Sequence, residues 1–127
     1  MLKACAIRNV KYSDLWETPD TLWNSILPKL YTQPINIWEP FVGVTNRSTK
    51  IFKELGHDVI ETTDDFFTLT WPETADVLIS NPPFSRKFEV LEKLIQLQES
   101  KTRPFMILLP SWVFASATVR TMVKKNK

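Results

Sequence analysis

Apolar residues recur along this chain in two rhythms that alternate. In 14–30, DLWETPDTLWNSILPKL, positions Leu22, Trp23, Ile26 and Leu27 fall at helical spacing. Thr18 stands as N-cap and Pro19 at the first helical position, and Pro28 is expected to limit the helix. INIWEPF (35–41) is rich in β-formers and stops at Pro40, so it predicts a short strand. RSTKIFKELG then gathers Ile51, Phe52 and Leu55 on one helical face, with Gly56 as the stop signal. DVIETT and ADVLIS predict two more strands, separated by a loop carrying DDFF and Trp71-Pro72. After the second of them Ser85 is placed to cap a helix with the stripe Phe88, Leu91, Leu94 and Ile95. PFMILLP (104–110), bracketed by prolines, reads as a strand buried on both faces. The last stretch, SWVFASATVRTMVKKNK, is weakly helical.

Strands that alternate with helices predict an α/β sandwich around a mainly parallel sheet. In such sheets ligands bind beyond the carboxyl ends of the strands. Three polar stretches follow three successive strands, Glu39 to Thr45, Glu61 to Asp65 and Asn81 to Phe84, and all three are expected on one edge.

Composition narrows the classes. A chain of 127 residues with 43% apolar positions, five Trp and eight Phe is one domain with a real core. It divides into a helical segment (12–34), a core sheet (35–115) and a basic tail (116–127). Sixteen Lys and Arg against fourteen acids leave +2, too little by itself to mark a nucleic-acid binder. The charge is uneven: residues 54–76 hold seven acids and no Lys or Arg, while Arg120, Lys124, Lys125 and Lys127 crowd the end. That tail reads as a solvated terminus or as a phosphate-contacting arm. Cys5 has no partner for an internal disulfide, no Cys/His cluster has metal-ligand spacing, and His57 is expected at the surface. No apolar run approaches the ~20 residues of a membrane span, and no signal-peptide core precedes the first helix, so a cytoplasmic protein (the host-cell interior if viral) is expected.

The candidate chemistry lies in SNPPF (80–84). Asn81 and the carbonyl ahead of Pro83 set two acceptors side by side, which suits a planar amine with two donors. Phe84 offers a ring for a base to stack on. The same tetrapeptide also reads as a plain strand terminator. In WEPFVG (38–43), Glu39 is placed to bind an ammonium group and Gly43 to let a ligand approach the chain, or the segment is an ordinary strand-to-helix turn. Glu61 or Asp64 stands where an acid commonly holds ribose, and Asp65 with Phe66 where adenine would be received; each also reads as a solvated loop charge.

In this order the segments resemble the adenine-type amino-methyltransferases of DNA, a branch of the class I S-adenosylmethionine-dependent methyltransferases. SNPPF matches their (N/D)PP(Y/F) tetrapeptide, and WEPFVG is similar to their first motif. WETP (16–19) resembles the segment ahead of it, and DVIETTDDFF (58–67) the ribose and adenine region. ISNPPFSRKFEVLEKL with RPFMILLP looks like small phage and large-virus versions. The resemblance spans roughly residues 12–115 and implies a Rossmann-like sandwich. It also implies that Thr18, Glu39, Phe41 and Gly43 hold the methionine part of S-adenosylmethionine, Glu61 or Asp64 the ribose, and Asp65 and Phe66 the adenine. Asn81, Pro82, Pro83 and Phe84 would hold the target base, which must be flipped from a duplex. Adenine in DNA is the first expected substrate; an RNA base, a protein glutamine amide or a non-catalytic binding subunit are the alternatives.

Three departures accompany the match. Thr45 stands where the family's second glycine is usual, and no target-recognition insert separates Glu39 from Asn81. The C-terminal antiparallel hairpin is also missing from the pattern, so a second copy or a partner subunit is expected to cover the open sheet edge.

Overall fold

The computed structural model describes residues 19–41, 47–99 and 102–108. Nine short elements follow one another within these: helix α1 (Asp20–Leu30), strand β1 (Asn36–Glu39), helix α2 (Arg47–Glu54) and strand β2 (Asp58–Glu61) come first. A 3-10 turn (Phe66–Thr68), strand β3 (Val77–Ser80), a second 3-10 turn (Phe84–Arg86), helix α3 (Lys87–Gln96) and strand β4 (Phe105–Ile107) complete them. The strands form one parallel sheet in the order β2-β1-β3-β4. This is the α/β architecture expected from the alternation of patterns.

Side-chain alternation sorts the core into two layers. Ile37, Val77 and Ile79 pack with Trp23 and Leu27 of α1 and Ile51 and Phe52 of α2. On the opposite face Trp38 and Leu78 meet Phe66, Trp71, and Val90 and Leu94 of α3. Trp23 and Phe52 meet edge to face at 5.3 Å, as do Trp38 and Trp71. Each indole N–H that enters the core finds an acceptor: Trp38 donates to Thr62 Oγ1 at 3.0 Å and Trp71 to the Ala75 carbonyl at 3.0 Å. Truncating an aromatic ring in such a setting costs about 3–5 kcal/mol.

Several local expectations need correction. Pro28 lies inside α1 rather than ending it, and the helix continues to Leu30. The residue whose carbonyl loses its bond, Asn24, is exposed, so the break falls on the solvent side. Pro19 is the N-cap of α1 and makes no side-chain capping bond; the Thr18 cap lies outside the described residues. Ser85 does not cap α3 either. It sits within the second 3-10 turn, and Arg86 occupies the N-cap position. In the α3 stripe, Leu91 and Leu94 are buried with Val90, while Phe88 and Ile95 are half-buried against Leu91.

His57 is buried, with 6% of its surface exposed, not a surface residue. The reason lies at the end of α2. Gly56 turns with φ +95°, and the pair of bonds Gly56 N–H to Lys53 O (3.0 Å) and His57 N–H to Phe52 O (3.1 Å) folds the chain back. His57 Nδ1 then accepts the Ile35 N–H at 3.2 Å, tying the exit of α2 to the entry of β1. Strand β4 is half-buried throughout and pairs only with β3 among the described residues, so it is not a strand covered on both faces as its sequence suggested. Residues 109–127, with the basic tail, lie outside the described residues.

Candidate functional site

In the strand order, β1 is followed in sequence by β2 on one side, while β3 lies on its other side. The order therefore reverses between β1 and β3, the point beyond whose carboxyl ends open α/β sheets place their ligand crevice. Ile37 pairs with Val77 and Trp38 with Leu78, so Glu39 and Ser80 emerge together at that point. Helix α1 also begins near this edge. Asp20 in its first turn pairs with Arg47 Nε at 3.3 Å at the start of α2, and Trp23 Nε1 donates to Ser48 Oγ at 3.3 Å.

Glu39 is the central group. Only 1% of its surface is exposed. Its Oε1 accepts two hydrogen bonds, from the Phe41 N–H at 2.9 Å and from the Ser80 hydroxyl. Burial pushes its pKa up to about 8, against the two donors, which lower it; the Glu61 carboxylate adds a smaller upward push. Glu61 is the register partner of Glu39 on β2 and is exposed. A buried acid that is neutral near pH 7 favours a cation arriving beside it, because ionisation then becomes favourable.

The corner after β3 is compact. Ser80, Pro82 and Pro83 are buried, and Asn81 is half-buried with its Oδ1 shielded from solvent. The Pro83 carbonyl accepts the Arg86 N–H at 3.2 Å, which starts the 3-10 turn that leads into α3. Phe84 opens that turn; the placement of its ring lies outside what the structure describes, as do Thr18, Gly43 and Thr45. Two of the sequence candidates thus meet directly across the crevice: the end of β1 with Glu39 and Phe41, and the end of β3 leading to Asn81.

The third stretch packs alongside. Asp65 caps the first 3-10 turn, its Oδ1 accepting the Phe67 N–H at 3.0 Å. The Phe66 ring is fully buried and touches Phe41 at 4.8 Å and Trp38 at 5.9 Å. Asp64 and Glu61 are exposed on the rim. Arg86 lies over the Phe67 ring at 4.5 Å and bonds Glu89, joining this stretch to the Asn81 corner. Glu89 holds the Arg86 pKa up, and Arg86 in turn holds the Glu89 carboxyl down.

Ser80 escaped the sequence reading. Its signal was faint: a hydroxyl as the last residue of an otherwise apolar strand, next to the corner. A shallow depression of about 270 Å³ along the α1–α2 seam, lined by Asp20, Arg47, Lys50, Ile51 and Glu54, shares no residue with the crevice. Among the described residues no group of His, Cys, Asp and Glu is arranged to hold a metal, and no helix is long and apolar enough to cross a membrane. No family model matches the chain, and neither does any curated protein or solved structure.

Proposed function

We propose that this chain is an S-adenosylmethionine-dependent methyltransferase with a class I fold that acts on an exocyclic amine, adenine in DNA first. The observation that carries the reading is the pairing of a buried acid, Glu39, with the Ser80-Asn81-Pro82-Pro83 corner at the reversal of strand order. The resemblance of SNPPF and WEPFVG to the amino-methyltransferase motifs gives that pairing its chemistry.

The residues present fit the cofactor's methionine end. A neutral, buried carboxyl with both donors on one oxygen becomes a carboxylate when an ammonium group approaches. Phe41 and the backbone after it would line the same part, Glu61 or Asp64 the ribose, and Asp65 with the Phe66 backbone the adenine. Bound there, S-adenosylmethionine would supply an electrophilic methyl group. On the substrate side, Asn81 Oδ1 and the Pro82 carbonyl would accept the two amine hydrogens. That contact strengthens as charge builds on nitrogen, so it serves the transition state more than the ground state.

A second reading keeps the chemistry and changes the substrate. Residues 54–76, which include Glu61, Asp64 and Asp65, carry seven acids and no Lys or Arg, which suits a glutamine amide better than a phosphate backbone. Transfer of labelled methyl groups to single-stranded DNA, duplex DNA, RNA and protein, offered in parallel, decides between them. Calorimetric titration with S-adenosylmethionine tests the reading itself: saturable binding abolished by Gly43→Asp supports it. Absence of binding at millimolar cofactor leaves a methyltransferase-like binding subunit, completed by a partner or a second copy.

A further inference from the structure

The buried pair at the head of the crevice links two halves that the proposed reaction treats separately. Glu39 belongs to the cofactor half and Asn81 to the amine half, and between them stands one hydroxyl. Ser80 is fully buried, with 0% of its surface exposed, and donates to Glu39 Oε1 from across the β1–β3 seam. Its own backbone runs directly into Asn81. A strand end needs no hydroxyl for packing at a site this enclosed, and a buried hydroxyl is retained only when its hydrogen bond offsets its desolvation.

We infer that Ser80 is a positioning residue, which transmits the state of Glu39 to the Asn81 corner so that occupation of the cofactor half sets the geometry of the amine half. The inference rests on the methyltransferase reading for its purpose but not for its physics. When Glu39 is neutral, the Ser80 bond joins two uncharged groups; when Glu39 ionises, the same bond becomes charge-assisted and stronger. The stronger bond holds the end of β3, and with it Asn81, more firmly against β1. From β2 the charged group facing Glu39 is Glu61, which favours the neutral form; from β3 it is the uncharged Ser80 itself. At the start of α3, Arg86 is paired with Glu89, and Glu61 is the one charged group whose field acts on Glu39 among the described residues.

The test needs no ligand. The Phe41 amide reports Glu39 ionisation directly, since it donates to Oε1, and the Asn81 side-chain amide reports the corner. In a pH series followed by nuclear magnetic resonance, both signals are expected to titrate with one midpoint near 8. Ser80→Ala, which removes one stabilising donor, should move the Phe41 midpoint upward and leave the Asn81 signals flat. Ser80→Thr should restore both. Glu39→Gln should abolish both titrations, and it keeps the question open to test if Ser80→Ala does not fold. Asn81 signals that ignore pH in the parent, or still follow Phe41 in Ser80→Ala, overturn the inference.

Cofactor titration separates this outcome from the fate of the reading. If Glu39 must ionise to bind the cation, affinity rises about tenfold per pH unit up to about 8, and Ser80→Ala displaces that profile. Coupled amide titrations without any cofactor binding would retain the Ser80 link and remove the methyltransferase. Cofactor binding with uncoupled amides would do the reverse.

Discussion

The two edges of the sheet use polar side chains in opposite ways. At the amino edge three polar side chains are spent on backbone. Asp76 Oδ2 accepts the Asn36 N–H at 2.8 Å, the Asn36 side chain donates to the Thr74 carbonyl at 2.9 Å, and His57 holds the Ile35 N–H. Asp76 and Asn36 lie in or near solvent, so their bonds close loops at small desolvation cost. At the carboxyl edge the acid is buried, and among the described residues it bonds a hydroxyl and one backbone amide. An edge built for stability alone would resemble the first. The second holds an acid in a state that costs free energy, as sites poised for a ligand commonly do.

Four substitutions break or sharpen this contrast, beginning with the largest effect. Asn81→Ala should lower methyl transfer by about 10²–10³-fold, the usual loss when one charge-stabilising contact is removed, with cofactor affinity unchanged. Equal turnover in mutant and parent would take Asn81 out of the mechanism.

Glu39→Gln acts next, on stability rather than rate. The folded-state pKa of Glu39 is raised to about 8 from 4.5, so the folded chain holds a proton that the unfolded chain releases between those values. Its contribution is therefore fully present below about pH 4.5 and is lost as pH climbs through 8. Denaturant unfolding of the parent should show that decline. The Gln variant should lack it and be more stable than the parent at pH 9. A parent curve that is flat across this window would contradict the burial of the acid.

At the amino edge, Asp76→Ala should cost about 1 kcal/mol in the same assay, the value of one exposed side-chain bond to backbone, and leave ligand affinity untouched. The smallest effect belongs to Glu89→Gln. It breaks an exposed ion pair with Arg86 worth about 0.5 kcal/mol or less, and the difference should vanish in 1 M salt. A larger cost would mean that Arg86 anchors the Asn81 corner through Phe67.

Much of the scaffold was readable from pattern, and the reasons differ by element. Strand β3 announced itself because both faces are covered, which leaves an apolar run, and β1 because its β-formers stop at a proline. Helix α2 was marked at its end by Gly56, whose φ few other residues adopt. Burial of His57 was hidden, because it depends on a bond to Ile35, 22 residues away. Pro28 misled for a related reason: whether a helix survives a proline depends on which carbonyl loses its partner and whether that carbonyl is wet. For the crevice, residue types and order could be read, but the contact between Glu39 and Ser80 could not. It depends on β3 skipping past β2 to pair with β1, a choice that no local pattern encodes.

That skipped pairing carries a kinetic consequence. Glu39 and Ser80 are 41 residues apart, whereas the link between β1 and β2 through His57 closes only 22. Loop-closure entropy disfavours the longer closure, so the β1–β3 seam should zip after the β1–β2 unit has formed. The crevice would then be among the last features to appear as the chain folds. Ile79→Val should mainly speed unfolding, with a φ-value nearer zero than those of buried positions in α2.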